Sequence, residues 1–465
     1  MASLAGLLVE AGHLVTGSDE RVYPPMSDQL ARLGIVPFEG YDPENISKAN
    51  PEMVVIGNVI RKENPEAQEV MRRGIQYRSM PATISEFFLK GRVPIVIAGT
   101  HGKTTSSTLA AWLLKSCGLD PGYLIGGIGI NSGRSYALGN DPFFVVEGDE
   151  YDSAFFDKGP KFLHYRPQAL LLTSIEFDHA DIYRDIGHII SSFEKLMEIL
   201  PPDGLLVANA DDENVRKVTK LARCRVVTYS VEMVSDYRPD NVKATSAGTS
   251  FGLTGVGRFT MPMWGDHNLS NATGVLALLI ESGQDPDKLA KGMADFKGVK
   301  RRQEIVYESR GVTMVDDFAH HPTSAEMTIN SMRFRFPNRR LWAIFEPRSN
   351  TSRRNVFQDE YVRALLKADR VIIARPYRED AIPEDERLDV DTIAADILKG
   401  GTDAHAISST DHIVEFVMRG IDTGDVILVM SNGMFDGLCD KIIEAIGKRK
   451  IVVDRNTVKP TKVPK

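Results

Sequence analysis

The sequence predicts an α/β protein with parallel β-sheets, organised in three domains. At 465 residues the chain is too long for a single hydrophobic core. Short apolar, β-branched segments alternate with helical segments along most of its length, which is typical of parallel sheets with helices on their faces. One such segment, residues 93–98, enters a glycine turn that opens an amphipathic helix at 106–117. This strand–turn–helix order favours a nucleotide-binding sheet.

The first domain is predicted over residues 1–90. Its predicted helices are 1–11, 27–33 and 66–73, and its predicted strands are 14–17 and 53–57. A doubly wound domain normally begins with a strand and a glycine turn before its first helix. Because this sequence starts on the helix, we expect that strand to be missing: either the domain begins unusually or about a dozen residues have been lost.

The second domain is predicted over 91–301 and the third over 302–450. The predicted strands of the second domain are 143–146, 169–173, 205–208 and 226–229, and the polar, β-like segment 242–262 predicts a hairpin insertion. Those of the third are 312–315, 341–345, 371–373 and 426–430. The remaining residues, 451–465, are basic and contain two prolines, which predicts a flexible tail.

Composition excludes several classes of protein. The hydrophobic fraction of 42% and the charged fraction of 26% are typical of a globular protein. A net charge of −7 argues against a nucleic-acid partner, and no apolar run approaches the roughly 18 residues that span a bilayer. The three cysteines are too scattered for a disulfide framework or a metal quartet. Since no signal peptide is recognisable, we expect a cytoplasmic protein without a membrane partner.

The most informative segment is a candidate phosphate-binding loop. It consists of Gly99, Thr100, His101, Gly102, Lys103, Thr104 and Thr105. Glycines let backbone N–H groups approach an oxyanion, and the helix N-terminus adds partial positive charge. In such loops the lysine reaches the β- and γ-phosphates of ATP, and the following hydroxyl binds Mg²⁺. The usual spacing asks for glycine at Ile97, but the strand–loop–helix context disfavours the alternative of a turn with a surface lysine.

A cluster of acidic residues follows the predicted strand 143–146. It contains Glu147, Asp149, Glu150 and Asp152, followed by Ser153. Four carboxylates within six residues repel one another unless a cation or a cationic substrate neutralises them. A solvated acidic loop is the alternative, but the neighbouring phosphate loop favours Mg²⁺ binding by Glu147. His179, after strand 169–173, can be a metal ligand, a phosphate contact or an ordinary turn histidine.

Two further polar segments follow in the second domain. Asn268 and Asn271 lie one helical turn apart and can bind an adenine edge, although Asn268 or Ser270 can equally cap the helix at 272–279. Arg301 and Arg302 belong to a cationic turn at the proposed domain boundary. An arginine there can stabilise a γ-phosphate, but the spacing alone favours a solvated charge run.

The third domain contributes two segments at the ends of its strands. Asp317, His320 and His321 follow strand 312–315. Zinc is conceivable there, but adjacent histidines seldom bind one metal together and no third ligand has a suitable spacing. The segment that contains Arg348, Ser349 and Asn350 follows strand 341–345 and offers a guanidinium to a substrate carboxylate. No nucleophile elbow or catalytic cysteine signature is present, which disfavours a covalent enzyme intermediate.

Together these segments resemble the Mur ligase family, the ATP-dependent amide-forming ligases of peptidoglycan synthesis. The matching segments, in the family's order, are 99–105, 147–150, 178–179, 267–271, 301–302 and 317–322. Within the family, the muramate–alanine ligase branch shares the last of these. The murein tripeptide ligase branch resembles the chain more closely, because it shares residues 23–27, 150–158, 161–165 and 346–351.

The resemblance implies a reaction and its cofactors. A murein tripeptide, L-alanyl-γ-D-glutamyl-meso-diaminopimelate, would be joined to UDP-N-acetylmuramate in peptidoglycan recycling, while ATP becomes ADP and phosphate. The muramate carboxylate would form an acyl phosphate, which the peptide amine then attacks. The protein would be a monomer or a weak homodimer.

The resemblance also implies roles for individual residues. Lys103, His179 and Arg302 would act on the transferring phosphoryl group. Thr104 and Glu147 would bind one Mg²⁺, and a second Mg²⁺ would lie near His179. Residues 99–105, Asn268, Asn271, Arg302, Asp317 and His320 would bind ATP. Asp149, Glu150, Asp152 and Ser153 would contact substrate, and Arg348, Ser349 and Asn350 would bind the peptide.

Two departures from the family leave alternatives open. Where several relatives carry a carbamylated lysine, the aligned residue is Phe193, so His179 would take over metal binding. The family's N-terminal glycine loop is missing, which leaves Asp19 as a uridine contact. The alternatives are an L-alanine ligase and an inactive ATP- or nucleotide-sugar-binding protein.

Overall fold

A computed structural model of the chain describes residues 1–245 and 247–448. They form two compact units. Unit 1 comprises residues 1–304 and 321–338, and unit 2 comprises residues 305–320 and 339–448. The tail predicted at 451–465 lies outside the described residues. No helix in the described ranges is both long and apolar enough to cross a membrane.

The first 90 residues form a small α/β region within unit 1. Its helices are α1 (Ala2–Glu10), α2 (Met26–Arg32), α3 (Pro43–Ala49), α4 (Pro65–Arg73) and α5 (Met80–Ile84), which a π-helical turn (Ser85–Leu89) extends. Its strands are β1 (Ser18–Asp19), β2 (Phe38–Glu39), β3 (Met53–Ile56) and β4 (Gln76–Ser79), which pair in parallel as β1–β2 and β3–β4.

The strand predicted at 14–17 is wrong. Only Ser18 and Asp19 pair with a neighbouring strand, because β2 is itself two residues long. Leu14 is 98% exposed, whereas Val15 is partly buried against an apolar cluster, so the segment packs by one side chain without forming a strand.

A seven-stranded sheet is the centre of unit 1. Its strands are β5 (Val93–Ala98), β6 (Gly122–Leu124), β7 (Tyr136–Ala137), β8 (Phe143–Gly148), β11 (Ala169–Leu172), β12 (Leu205–Asn209) and β13 (Arg225–Tyr229). Their order is β13-β12-β11-β5-β8-β6-β7, and every pairing is parallel except β6–β7.

Both faces of this sheet are buried. Along β5, Ile95 and Ile97 pack into one apolar cluster with α6 (Lys103–Ser116) and α9 (Asp266–Glu281). Val96 and Ala98 pack into the opposite cluster with α1 and α7 (Ile186–Glu198). Continuous apolar strands such as β5 and β11 are expected where a parallel sheet is covered on both sides.

Smaller elements complete unit 1. A hairpin follows β8, and the predicted insertion is a three-stranded antiparallel sheet rather than a hairpin. The hairpin strands are β9 (Asp152–Ala154) and β10 (Asp157–Pro160), and the insertion strands are β14 (Pro239–Thr245), β15 (Gly248–Leu253) and β16 (Gly257–Met261). The remaining helices are α8 (Glu213–Thr219), α10 (Pro286–Ala294) and α11 (Pro322–Arg335), with a 3-10 turn at Lys161–His164.

Unit 2 contains a second sheet. Its strands are β17 (Glu304–Ser309, whose first residue belongs to unit 1), β18 (Val312–Asp317), β19 (Leu341–Phe345), β20 (Arg370–Ala374), β21 (Asp403–Ile407) and β22 (Val426–Met430). The order is β17-β18-β22-β19-β20-β21, with parallel pairing from β18 to β21. Its helices are α12 (Gln358–Leu365), α13 (Val390–Lys399), α14 (Thr410–Gly420) and α15 (Leu438–Lys448), and 3-10 turns lie at Asn355–Phe357, Glu379–Ala381, Glu384–Glu386 and Phe435–Gly437.

The strand order of unit 1 explains where its polar side chains meet. Strand β5 lies between β8 and β11, so the segments after these three strands emerge at one edge of the sheet. In open parallel sheets, ligands bind beyond the carboxyl ends of the strands.

Candidate active site

The phosphate loop connects β5 to α6 and is held in place by its neighbours. Gly99 and Gly102 adopt positive φ angles of 131° and 81°. A Cβ atom at Gly99 would collide with Thr173, and one at Gly102 would collide with Asn271. The Thr100 amide donates to the Ser174 carbonyl at 2.8 Å. Only glycine therefore fits these two positions, and the contacts with the segment after β11 and with α9 hold the loop in this conformation.

Lys103, the first residue of α6, points back across this loop. Its Nζ donates to both carboxylate oxygens of Glu150, at 2.8 and 3.0 Å, and to the Gly99 carbonyl at 2.6 Å. Burial by itself would lower the pKa of Lys103, but the carboxylates of Glu150, Asp149 and Glu147 outweigh it and raise that pKa. The lysine is a buried cation within reach of the loop.

Thr104 and Glu147 form the neighbouring pair. The Thr104 hydroxyl donates to Glu147 Oε1 at 2.9 Å, and the Gly126 amide donates to Glu147 Oε2 at 2.8 Å. Arg302 Nη2 donates to Thr104 Oγ1 at 3.3 Å, so the predicted arginine reaches the phosphate loop. A hydroxyl and a carboxylate at a helix N-terminus are the hard oxygen ligands that Mg²⁺ prefers, so these residues fit that ion.

His179 and the acidic cluster lie beside Lys103. His179 Nε2 is 3.4 Å from Glu150 Oε1, and Lys161 Nζ is 2.5 Å from Asp149 Oδ2. Burial opposes the charged imidazolium, yet the hydrogen bond to Glu150 raises the pKa of His179 to about 9. Burial likewise opposes ionisation of Asp149, but Lys161 and Lys103 lower its pKa to about 2. His179 also has a positive φ of 55°, an uncommon conformation that occurs preferentially at functional sites.

A third cluster joins the phosphate loop to the start of α11. His101 Nε2 is 3.3 Å from Glu176 Oε2, and the Thr323 hydroxyl donates to the same oxygen at 2.8 Å. His321 Nδ1 lies 3.9 Å from it. Burial would raise the pKa of Glu176, but the hydrogen bond from His101 and the neighbouring groups lower it to about 2.

The predicted adenine ligands lie on α9. Asn268 and Asn271 are both buried; Asn268 Nδ2 donates to the Trp264 carbonyl at 2.8 Å, and Asn271 Oδ1 lies beside Gly102. The alternative that Asn268 or Ser270 caps the helix is wrong, because α9 begins at Asp266 and its N-cap is Gly265. The apolar run starts later than the helix, since the first turn carries the polar residues.

Other predicted substrate residues of unit 1 make local contacts. Asp152 pairs with Lys158 at 2.9 Å, and the Ser153 hydroxyl donates to the Gly159 carbonyl at 3.1 Å, both within the β9–β10 hairpin. Asp19 accepts from the Arg21 amide at the end of β1. Their substrate roles stay predictions. Phe193 is buried against Phe162, so no side chain from this position approaches the acidic cluster.

The predicted site residues of unit 2 follow β18 and β19. Asp317 accepts from the Ala319 amide at 2.8 Å, and His320 Nδ1 is 3.0 Å from the Phe318 carbonyl. The Ser349 hydroxyl lies 2.9 Å from that of Ser352, and Asn350 Oδ1 accepts from Arg353. These contacts order the two loops within their own unit.

Arg348 is the most strongly held of the unit 2 residues. Its Nη1 donates to Glu346 Oε1 at 3.2 Å, and its guanidinium lies 4.0 Å from the Tyr377 ring centroid. Glu346 is buried and also accepts a short hydrogen bond from Ser431. A stacked guanidinium backed by a buried carboxylate is a suitable donor for a substrate carboxylate.

Several of these partners were missed in the sequence. Lys161, Gly126, Glu176 and Ser431 each contact a predicted site residue. Lys161 lies in the shared segment 161–165 and Glu176 in the polar segment before His179, but the sequence predicts a site role for neither; Gly126 and Ser431 lie in no predicted segment. Strand order and the paths of the loops bring these residues to their partners. A local sequence pattern encodes neither. The Glu346–Ser431 contact, for example, depends on β19 and β22 being neighbours.

Three domain models of one protein family together match most of the chain. Residues 1–92 match the Mur ligase family catalytic domain, 97–279 the Mur ligase middle domain, and 301–433 the Mur ligase glutamate ligase domain. Together with the parallel sheets, these matches confirm the predicted three-domain Mur ligase architecture.

Individual relatives match most of this chain. The chain is 36% identical over 452 residues to the UDP-N-acetylmuramate–L-alanyl-γ-D-glutamyl-meso-2,6-diaminoheptandioate ligase of Escherichia coli K12, covering 97% of this chain and 96% of the relative. It is 35% identical over 391 residues to the UDP-N-acetylmuramate–L-alanine ligase of an Arthrobacter species, covering 82% and 80%.

The chain is also similar to a solved structure along nearly its whole length. The murein peptide ligase of Psychrobacter arcticus superposes with a TM-score of 0.73 at 32% identity, covering 97% of both chains. The phosphate loop, the threonine–carboxylate pair and the full-length similarity therefore lead to one conclusion. The chain belongs to the Mur ligase family and is an ATP-dependent, amide-bond-forming ligase.

Proposed function

We propose that the chain joins L-alanyl-γ-D-glutamyl-meso-diaminopimelate to UDP-N-acetylmuramate, with conversion of ATP to ADP and phosphate. The observation that carries this proposal is the joint presence of the Lys103–Thr104–Glu147 arrangement and 36% identity, over 97% of the chain, to a ligase named for that peptide. The reaction would recycle peptidoglycan fragments in the cytoplasm.

The first step is transfer of the ATP γ-phosphoryl group to the muramate carboxylate, which yields an acyl phosphate. Lys103 and Arg302 would neutralise charge on the transferring group, since both already donate hydrogen bonds at the phosphate loop. Backbone amides at the start of α6 would add further donors. Catalysis in this step is therefore mainly positioning and electrostatic stabilisation.

Thr104 and Glu147 would hold one Mg²⁺, and a second Mg²⁺ would lie near His179. Bound there, the ions would supply charge neutralisation for the ATP phosphates. The hydroxyl and carboxylate oxygens fit the first ion, and the Gly126 amide fixes the orientation of Glu147. Asn268, Asn271, Asp317 and His320 would bind the nucleoside.

In the second step the peptide amine attacks the acyl carbonyl, and phosphate leaves. Arg348, with Ser349 and Asn350 in the same loop, would bind a carboxylate of the incoming peptide. The support is that Glu346 and Tyr377 fix its guanidinium from two sides. Asp19, Asp149, Glu150, Asp152 and Ser153 would contact the muramate substrate or its neighbouring groups.

The test is formation of ADP and of the UDP-linked product in the presence of ATP, Mg²⁺ and UDP-N-acetylmuramate. One reaction receives the tripeptide and a matched reaction receives L-alanine; mass spectrometry identifies the products. We expect turnover with the tripeptide. Strict dependence on L-alanine would contradict the proposal.

The second candidate is a UDP-N-acetylmuramate–L-alanine ligase. It is favoured by 35% identity to a relative of that name over 82% of the chain. A third outcome of the same assay, ATP binding without ADP formation for either amine, would indicate an inactive nucleotide-binding protein. Gel filtration tests the expected monomer or weak homodimer.

A further inference from the structure

His101, Glu176 and His321 bring two imidazoles and a carboxylate together from three distant parts of the sequence. All three residues belong to unit 1. The sequence offers no third zinc ligand at a suitable spacing from His321. The fold supplies two candidates, one from the phosphate loop and one from the segment after β11.

The ligand atoms have the separation that a small cation requires. One nitrogen of each imidazole and one oxygen of Glu176 all lie within 4.8 Å of one another. The His101 Nε2–Glu176 Oε2 distance is 3.3 Å. Ligands about 2.1 Å from a tetrahedral zinc ion lie about 3.4 Å apart. Small side-chain rotations would therefore bring the three atoms into one coordination shell.

The hydrogen bonds around His321 hold its ring in the orientation that is usual for a metal-bound histidine. Its Nε2 is 3.2 Å from the Phe177 carbonyl, and its Nδ1 accepts from the Thr323 amide at 3.3 Å. Nε2 therefore carries the proton and Nδ1 carries the lone pair. A backbone carbonyl on the far nitrogen is the usual outer partner of a metal-bound histidine. A metal ion would replace the long Thr323 contact.

The cluster differs chemically from the site proposed for Mg²⁺. The Thr104–Glu147 pair proposed for Mg²⁺ offers a hydroxyl and a carboxylate oxygen. In the neighbouring Asp149–Glu150–His179 cluster, both carboxylates are paired with lysines. The His101–Glu176–His321 cluster offers two imidazoles and one carboxylate, a ligand set that suits Zn²⁺ and Co²⁺ better than the oxygen-preferring Mg²⁺. His321 is buried, whereas Glu176 is a third exposed, which leaves room for water as a further ligand.

We propose that His101, Glu176 and His321 form a binding site for a late first-row transition-metal ion such as Zn²⁺, separate from the Mg²⁺ site. The ion would fix the phosphate loop to the start of α11 within unit 1. This inference does not rest on the proposed ligase substrate, because it concerns binding to the full-length protein alone.

The test is titration of metal-free, full-length protein with Zn²⁺ by calorimetry and with Co²⁺ by visible absorption. We expect one Zn²⁺ per chain at this cluster and a Co²⁺ spectrum typical of nitrogen and oxygen ligands. Glu176→Gln and His321→Asn should each weaken Zn²⁺ binding by about 100-fold. His321→Asn is chosen because asparagine also caps helices, so α11 keeps its N-cap.

Two further variants separate this site from its alternatives. His179→Ala removes the imidazole of the other cluster and should leave Zn²⁺ binding unchanged. His405→Ala, at a partly exposed histidine beside Asp403 in unit 2, should also leave Zn²⁺ binding unchanged. The proposal is overturned if wild-type protein binds no Zn²⁺ at micromolar concentrations. It is equally overturned if His321→Asn binds Zn²⁺ as wild type does, or if binding is lost with His179→Ala instead.

Discussion

The carboxyl edges of the two large sheets differ in how their charged residues are partnered. At the unit 1 edge, Lys103, Glu150, His179 and Asp149 form one coupled network of both signs. At the unit 2 edge, a single guanidinium, Arg348, is backed by buried Glu346, and Asp317 is bonded to a backbone amide. The strands that end beside these residues are parallel in both sheets, so strand direction alone does not produce the difference.

The difference comes from the residues that follow the strands. In unit 1, two glycines with positive φ and the N-terminus of α6 bring backbone amides and Lys103 to one point. That arrangement suits a polyanion with its cation. The unit 2 loop presents the planar guanidinium of Arg348, which suits a carboxylate. The same edge of a parallel sheet can thus serve a phosphoryl group or a peptide, depending on its loops.

Lys103→Ala should have the largest effect, because it removes the central cation of the unit 1 network. We expect kcat for ADP formation to fall by about 1,000-fold. Lys115→Ala, on the same helix but exposed, is the matched control. If Lys103→Ala retained wild-type turnover, the unit 1 edge would not be the phosphoryl-transfer site.

Glu147→Gln should have the next largest effect. The substitution keeps the size of the side chain but removes the charge that faces Thr104. We expect about a 100-fold loss of kcat and a higher Mg²⁺ concentration for half-maximal activity. Titration of Mg²⁺ at fixed ATP measures both, with exposed Glu213→Gln as control. An unchanged Mg²⁺ requirement would contradict the assignment of Glu147.

Arg348→Ala tests the unit 2 side of the comparison. Loss of a charge-assisted contact costs about 1.5–3 kcal/mol, so KM for the peptide should rise by roughly 10- to 100-fold. KM for ATP should not change. Arg375→Ala, whose partner is the exposed Asp391, provides the control. Equal effects on both KM values would argue that Arg348 supports the fold rather than the peptide.

The smallest expected effect concerns His267, which accepts a hydrogen bond from Gln303 at 3.1 Å. Burial and the nearby His101 lower its pKa to about 4. Because the unfolded chain binds a proton near pH 6.5 and the folded chain does not, stability contributed by this residue falls as pH drops from about 6.5 to about 4. The side chain is partly exposed, so we expect about 1 kcal/mol.

His267→Gln should therefore lose less stability than wild type on acidification. Thermal unfolding midpoints at about pH 7.5 and about pH 5 measure this, with partly exposed His405→Gln as control. Identical losses in wild type and His267→Gln would show that other groups dominate the acid sensitivity of unit 1.

The local features of the fold could be predicted from the sequence. Strand β5, its glycine turn and α6 follow from periodicity and from residue types, and so do β11, β19 and β22. The predicted strand at 14–17 failed because an apolar pattern cannot report whether a pairing partner exists. The helix-cap prediction for Asn268 failed because the polar first turn of α9 lacks apolar periodicity.

The sequence by itself determined the α/β class, the phosphate loop and the acidic and cationic residue types, because glycine freedom, helix periodicity and charge are local properties. Only the tertiary structure decided which of these residues meet. Glu150 faces Lys103, and Glu176 lies beside His101, because the parallel strands β5, β8 and β11 end at one edge. Lys161 reaches Asp149 after the β9–β10 hairpin, and His321 approaches Glu176 from the start of α11. Such contacts depend on strand order, which no local pattern encodes.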